Sequence, residues 1–150
     1  MRLLIQRVRH ASVTIDGARY SAIGRGLLVF VGVEEADSQE DIDFLAGKVS
    51  RLRIFDDEAG VMNLDVRQIG GDLLVVSQFT LHASTKKGNR PSYIRAAGEA
   101  VARPMYERFV AAVALQSGRP VRTGVFGADM AVELLNDGPV TIWIDSKNKE

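Results

Sequence analysis

The chain has 150 residues, the length of one compact domain, because a second core would leave each half too small to bury enough surface. Hydrophobic residues make up 46% and charged residues 25%, proportions that exclude disorder, coiled coil and collagen. Nineteen basic and nineteen acidic residues cancel to a formal net charge of zero, which argues against an extended surface for gripping nucleic acid.

Cysteine is absent, so disulfides, thiolate metal sites and a cysteine nucleophile are all excluded, in keeping with a reducing compartment. No run approaches the roughly 20 apolar residues of a membrane span, and Arg2 and Arg7 interrupt the start too early for a signal-peptide core. The expectation is a cytoplasmic protein without a membrane partner.

In chain order, Leu3 to Ile15 reads as β-structure, and Asp16-Gly17 is a hairpin signal before Tyr20 to Ile23. Leu27 to Val31 is a short apolar run that suits a strand buried on both faces, hence mid-sheet. A helix follows: Asp37 or Ser38 caps it, Glu40 and Asp41 occupy its first turn, and Ile42, Leu45, Val49 and Leu52 form its apolar stripe. Arg53-Ile54-Phe55 reads as a return strand, Asp56 to Gly60 as a turn, and Leu73 to Phe79 as a second buried strand entered through Gly70-Gly71. His82 to Pro91 has the composition of a surface loop. A second helix is expected from Ala97 to Gln116, its first turn ended or its axis kinked at Pro104. The tail from Ala128 to Asp145 reads as two strands around Asn136-Asp137-Gly138-Pro139.

Several chemistries lack their residues. His10 and His82 are the only histidines, with no H-E-x-x-H pair for zinc, no G-x-S-x-G elbow, and no third glycine after Gly24-Arg25-Gly26 for a dinucleotide. No metal or cofactor is expected. A triad of Ser77, His82 and a distant aspartate can be written down, but triads are recognised by geometry.

Three features do carry chemistry. Between Leu73 and Gly98 there is no acidic residue, while Lys86, Lys87, Arg90 and Arg95 are all basic, so the neutral total hides a local basic patch suited to phosphate. Ser77-Gln78-Phe79-Thr80-Leu81 places hydroxyls, an amide and an aromatic at the exit of a buried strand, where a rigid scaffold aims groups at a ligand. Asn136-Asp137-Gly138-Pro139-Val140-Thr141 reads as a hairpin turn, or, with a cis Gly-Pro bond, as a small rigid polar probe with two carbonyls aligned.

These three segments, with Lys87-Gly88-Asn89-Arg90-Pro91-Ser92 between the other two, resemble the D-aminoacyl-tRNA deacylase family over nearly the whole chain. Arg7-Val8, Ala11-Ser12-Val13, Gly26-Leu27-Leu28 and Gly127-Ala128-Asp129-Met130 add to the likeness, while His82 and Pro104 depart from it. The resemblance implies an α/β fold of α+β type: one β-rich domain over residues 1–150, with a mixed, largely antiparallel barrel-like sheet and two main helices. It also implies a homodimer with active sites at the interface, and hydrolysis of the ester joining a D-amino acid, or glycine, to the 3′-terminal adenosine of tRNA. By the same likeness Ser77, Gln78, Phe79 and Thr80 are catalytic, with donors from the Phe79 and Thr80 N–H groups and with the 2′-hydroxyl of the tRNA assisting water. Gly138 and Pro139, braced by Arg7, enter the partner's pocket and exclude an L side chain, and Lys86, Lys87 and Arg90 meet the tRNA. DNA is not an expected partner. Two other readings stay open: a dimer that binds the tRNA end without catalysis, and a small-molecule esterase with Thr80 or Ser77 as nucleophile.

Overall fold

The computed structural model describes all 150 residues, Met1–Glu150. Its frame is a six-stranded sheet built around β1 (Arg2–Ile15), a 14-residue strand long enough to serve three neighbours. Asp16 and Gly17, both at positive φ, turn the chain into β2 (Ala18–Ile23), which pairs with the second half of β1. The chain then continues along the same edge of β1 as β3 (Gly26–Gly32), antiparallel to its first half. β3 runs parallel to β6 (Asp72–Ser77), and β6 runs parallel to β7 (Val121–Thr123), a strand of three residues, too short to stand out in the sequence. Ser21 Oγ donates to the Thr123 carbonyl at 2.7 Å, drawing β7 toward β2 so that the sheet nearly closes into a barrel.

Burial follows the sequence pattern. Leu27, Val29 and Val31 of β3, with Leu73 and Val75 of β6, face the larger core, while Leu28, Leu74 and Val76 face the smaller one. Both strands are therefore covered on two sides, as continuous apolar runs require. The larger core is roofed by α1 (Gln39–Arg51) and α2 (Glu99–Ser117). Ser38 opens α1, its N–H donating to Asp41 Oδ2 at 2.8 Å.

Three expectations are corrected. Phe55–Asp56 (β4) does not return to the main sheet; it pairs with Met62–Leu64 (β5) as a separate hairpin around the turn in which the Gly60 N–H donates to the Asp57 carbonyl. Pro104 does not end a first turn but lies inside one continuous helix, on its exposed side, where the carbonyl its missing N–H leaves free belongs to the exposed Ala100. The tail is one 15-residue strand, β8 (Ala131–Asp145), not two strands of a hairpin: both halves pair antiparallel with β1.

Candidate active site

The last ladder bond of β6 runs from the Gln78 N–H to the Val31 carbonyl at 2.8 Å. The strand expected to reach Phe79 therefore stops at Ser77, and the chain enters one 3-10 turn, Phe79–His82. That turn begins with the Leu81 N–H donating to the Gln78 carbonyl at 3.2 Å and ends with the Ala83 N–H donating to the Thr80 carbonyl at 3.0 Å. The N–H groups of Phe79 and Thr80 precede this ladder and are left unused by it, two adjacent donors at the start of a helical turn. The Thr80 hydroxyl is held instead by Gln78, whose Nε2 donates to Oγ1 at 2.6 Å.

The turn opens onto a cleft of about 400 Å³ between the end of β6, the start of α2 and residues 126–132. Ser77, Gln78 and Phe79 form one wall; Val31, Val33, Ala102, Tyr106, Phe126 and Met130 make the rest largely apolar, with Glu99 and Asp129 as its acids. The Tyr106 hydroxyl donates to the Val75 carbonyl at 2.8 Å, and burial holds this phenol well above its ordinary pKa, so it stays neutral. Arg103 lies 4.9 Å over the Phe126 ring and pairs with Glu99, which stiffens the rim.

Phe79 is 58% exposed and meets Tyr93 edge to face at 5.1 Å. Beyond it, Ser84 and Ser92 exchange two backbone hydrogen bonds, at 2.8 and 2.9 Å, and so pinch off the loop 85–91. Lys86, Lys87 and Arg90 all stand exposed on it. Basic charge and an exposed aromatic thus flank the cleft on the turn's side.

Gly138 and Pro139 lie elsewhere. Asn136 pairs with Val8 and Thr141 with Gln6, so Asp137–Val140 bulge out opposite the single residue Arg7. The Gly138-Pro139 peptide is cis, and both residues are exposed at the tip. Asn136 closes the neck: its Oδ1 accepts from the Val140 N–H at 2.9 Å, and its Nδ2 donates to Thr141 Oγ1 at 3.0 Å. Arg7 is buried beneath, with Nε donating to the Asp137 carbonyl at 2.9 Å and Nη1 to the Ile54 carbonyl at 2.6 Å.

Strand register gives the separation between this bulge and the cleft. Arg7 pairs with Leu27 and Leu27 with Leu73, four residues before Ser77. That is about 13 Å along the strands and about 14 Å across three strand spacings, or about 19 Å in all. One copy of the chain keeps the bulge out of its own cleft.

His82 is not part of the surface loop. It is 1% exposed, and neither ring nitrogen has a hydrogen-bond partner, so no bond joins it to Ser77 and the triad is not assembled. Tyr106 and Phe126 were not legible as cleft residues, since at their positions an aromatic reads as core; only the order Gly127-Ala128-Asp129-Met130 gave a signal in that region.

A family model described as D-Tyr-tRNA(Tyr) deacylase matches residues 4–145. Among curated proteins, the D-aminoacyl-tRNA deacylase of Parabacteroides distasonis is 66% identical over 150 residues, and that of Bacteroides thetaiotaomicron 62%, each match covering the whole of both chains. Among solved structures, one named c-Myc DNA Unwinding Element Binding Protein is similar at a TM-score of 0.90 with 37% identity, over 97% of this chain and 98% of that one. A probable eukaryotic D-amino acid tRNA deacylase matches at a TM-score of 0.80 with 19% identity, over 95% of this chain and 97% of that one, a likeness of fold alone.

Proposed function

The chain belongs to the D-Tyr-tRNA(Tyr) deacylase family, and from that membership we propose that it hydrolyses the ester joining a D-amino acid to the terminal adenosine of tRNA. The observation that carries this reading is the pair of N–H groups at Phe79 and Thr80, unused by the ladder of a turn whose first residue, Phe79, lines an apolar cleft. Attack on an ester places negative charge on the carbonyl oxygen, and each well-aimed donor there lowers the barrier by about 3 kcal/mol. The apolar walls keep that charge in a poorly screened setting, where the donors act most strongly.

Thr80 supplies its backbone in this scheme. Its hydroxyl is engaged by Gln78, and no histidine or carboxylate is bonded to it, which disfavours a covalent role. The attacking water then takes its assistance from the neighbouring 2′-hydroxyl of the substrate. Lys86, Lys87 and Arg90 meet phosphates of the acceptor end, and the exposed Phe79 ring offers a base a stacking face.

Chirality needs a second copy. With Gly138-Pro139 about 19 Å from its own cleft, the reading places this bulge of one protomer in the cleft of the other, its two carbonyls toward the substrate's amino group. An L side chain would collide with that rigid tip, a D side chain would point away, and glycine would pass unexcluded. The working unit is thus a homodimer of single-domain chains acting in the cytoplasm. Purified protein incubated with D-Tyr-tRNA and L-Tyr-tRNA tests this: release of D-tyrosine with L-Tyr-tRNA left intact is expected. Binding of D-Tyr-tRNA and uncharged tRNA with equal affinity and no turnover would overturn it.

A further inference from the structure

His82 stands out as a buried side chain with both polar atoms unpaired. Buried polar groups are almost always satisfied, so an exception calls for a reason. His82 is also the last residue of the turn that carries the Phe79 and Thr80 donors.

Its packing ties that turn to the end of β3. A Cβ placed on Gly32 would lie 3.0 Å from His82 Cδ2, 3.0 Å from the Gln78 carbonyl oxygen and 3.1 Å from Leu81 Cβ. The turn packs against Gly32 more tightly than a side chain there would ordinarily allow, and that contact is shared by His82 at its end and by Gln78 just before the donors. His82 Nδ1 lies 3.8 Å from Glu34 Oε2, just beyond hydrogen-bond reach. That same carboxylate oxygen is 3.6 Å from Arg95 Nη2. Arg95 is half exposed and sits on the basic side of the cleft, two residues before Ala97, which lines it.

The other charges around the ring oppose a proton on it. Arg2 of β1 donates to the Leu81 carbonyl at 2.9 Å and is itself held by Asp145 of β8, and the Met1 ammonium pairs with Asp37 nearby. Burial and these cations keep the imidazole below its ordinary pKa, against the pull of the nearby Gly32 backbone and, less strongly, of Glu34. Glu34 is therefore the one acidic group facing His82, and it is shared.

We propose that His82 is a positioning residue for the Phe79–Thr80 donors, and that the Glu34 carboxylate it shares with Arg95 couples this turn to an RNA phosphate captured by Arg95. The proposal rests on the deacylase reading above. With no RNA present, Arg95 holds Glu34 and His82 stays neutral and unpaired. A phosphate that takes over Arg95 frees the carboxylate, the imidazole Nδ1–H donates to it, and the turn is drawn into one position.

The chain has only two histidines, so NMR of the full-length protein shows two imidazoles, and His10→Gln assigns them. Three results are expected in the titration of His82: Arg95→Gln raises its midpoint, uncharged tRNA raises it in the wild type, and Glu34→Gln abolishes the response to tRNA. In deacylation of D-Tyr-tRNA, His82→Phe lowers kcat by about tenfold, the effect of a misplaced reacting geometry, while KM stays within about twofold. His82→Gln, which restores a donor, recovers part of the loss. A His82 midpoint unmoved by both Arg95→Gln and tRNA overturns the coupling, and an unchanged kcat in folded His82→Phe overturns the positioning role. Should His82→Phe fail to fold, the Arg95→Gln titration decides alone. A wild type that leaves D-Tyr-tRNA intact yet shows the NMR responses defeats the deacylase reading and leaves the coupling; turnover with silent NMR does the reverse.

Discussion

Arg7→Ala removes the brace under the Gly138-Pro139 bulge, and the structure sets the size of the effect. The guanidinium gives two charge-assisted hydrogen bonds, 2.9 Å to the Asp137 carbonyl and 2.6 Å to the Ile54 carbonyl, and it lies 3.6 Å from the Asp137 carboxylate and 3.7 Å from that of Asp56. Each bond from a charged donor is worth about 1.5–3 kcal/mol, but the two losses are unequal. Ile54 is buried and its carbonyl is left without a partner, whereas Asp137 is half-buried at a wet edge where water restores much of what is lost. The sum is about 2–4 kcal/mol, or a fall in Tm of about 5–15 °C for a chain of this length. Selectivity should fall with stability, because a tip free to swing no longer excludes the L side chain. About 1.4 kcal/mol of bracing lost at the tip corresponds to tenfold more L-Tyr-tRNA hydrolysis relative to D-Tyr-tRNA. Thermal melts and paired D and L deacylation assays measure the two effects. Arg7→Lys, with one ammonium for two carbonyls, should lie between. A variant melting within about 2 °C of wild type with an unchanged D to L ratio would refute the bracing role.

Four further outcomes are expected. Thr80→Val keeps the backbone donor and loses only the hydroxyl that Gln78 holds, so kcat should stay within about tenfold of wild type, whereas loss of a true nucleophile costs about 10⁴-fold or more. Phe79→Ala removes an exposed ring that touches Tyr93; stability should change by under about 1 kcal/mol, while KM for charged tRNA rises about tenfold through lost stacking. Lys87→Gln and Arg90→Gln should each weaken tRNA binding and reduce the slope of log Kd against log salt by about one, if each neutralises one phosphate. His82 is held below the ordinary imidazole pKa by burial, so between that lowered value and about 6.5 the unfolded chain binds more protons and stability rises with pH. Urea midpoints at pH 5, 6 and 8 should therefore climb, and His82→Phe should flatten the climb over this window.

The parts of the fold that sequence makes visible are those decided locally. β3 and β6 are apolar runs too short for helices, and their burial on both faces follows from having no polar alternation. Asp16-Gly17 adopts the positive φ angles its composition favours, and the cap of α1 forms between residues three apart. The tail fails for the opposite reason. Asn-Asp-Gly-Pro has every local mark of a reversal, but the unpaired edge of β1 offers hydrogen bonds to both halves of β8, and a bulge costs less than turning away from them. His82 illustrates the same limit at a single residue: it borders a polar, basic stretch, yet it is buried in close contact with Gly32, fifty positions earlier, where a side chain would crowd it. The cleft's other aromatics, Tyr106 and Phe126, come from α2 and from the segment before β8, each unremarkable in its own neighbourhood.

The neutral net charge illustrates how a sum conceals an arrangement. Of the two acids that line the cleft, Glu99 pairs with Arg103 and Asp129 stands on the side away from the turn, while Glu34 behind the turn pairs with Arg95. Lys86, Lys87 and Arg90 stand on a pinched loop that holds no acid. What a nucleic acid end meets beside the cleft is therefore a small unopposed positive surface, whatever the total. The zero charge sets the extent of that surface rather than its sign, and a footprint of a few phosphates suits an enzyme that must grip one end of an RNA and release it. The same economy applies to the bulge and the cleft. Each is rigid because the β-ladder fixes it, and the ladder that fixes them also keeps them apart within one chain. Their rigidity and their separation have one cause, so no bending of a single chain brings them together.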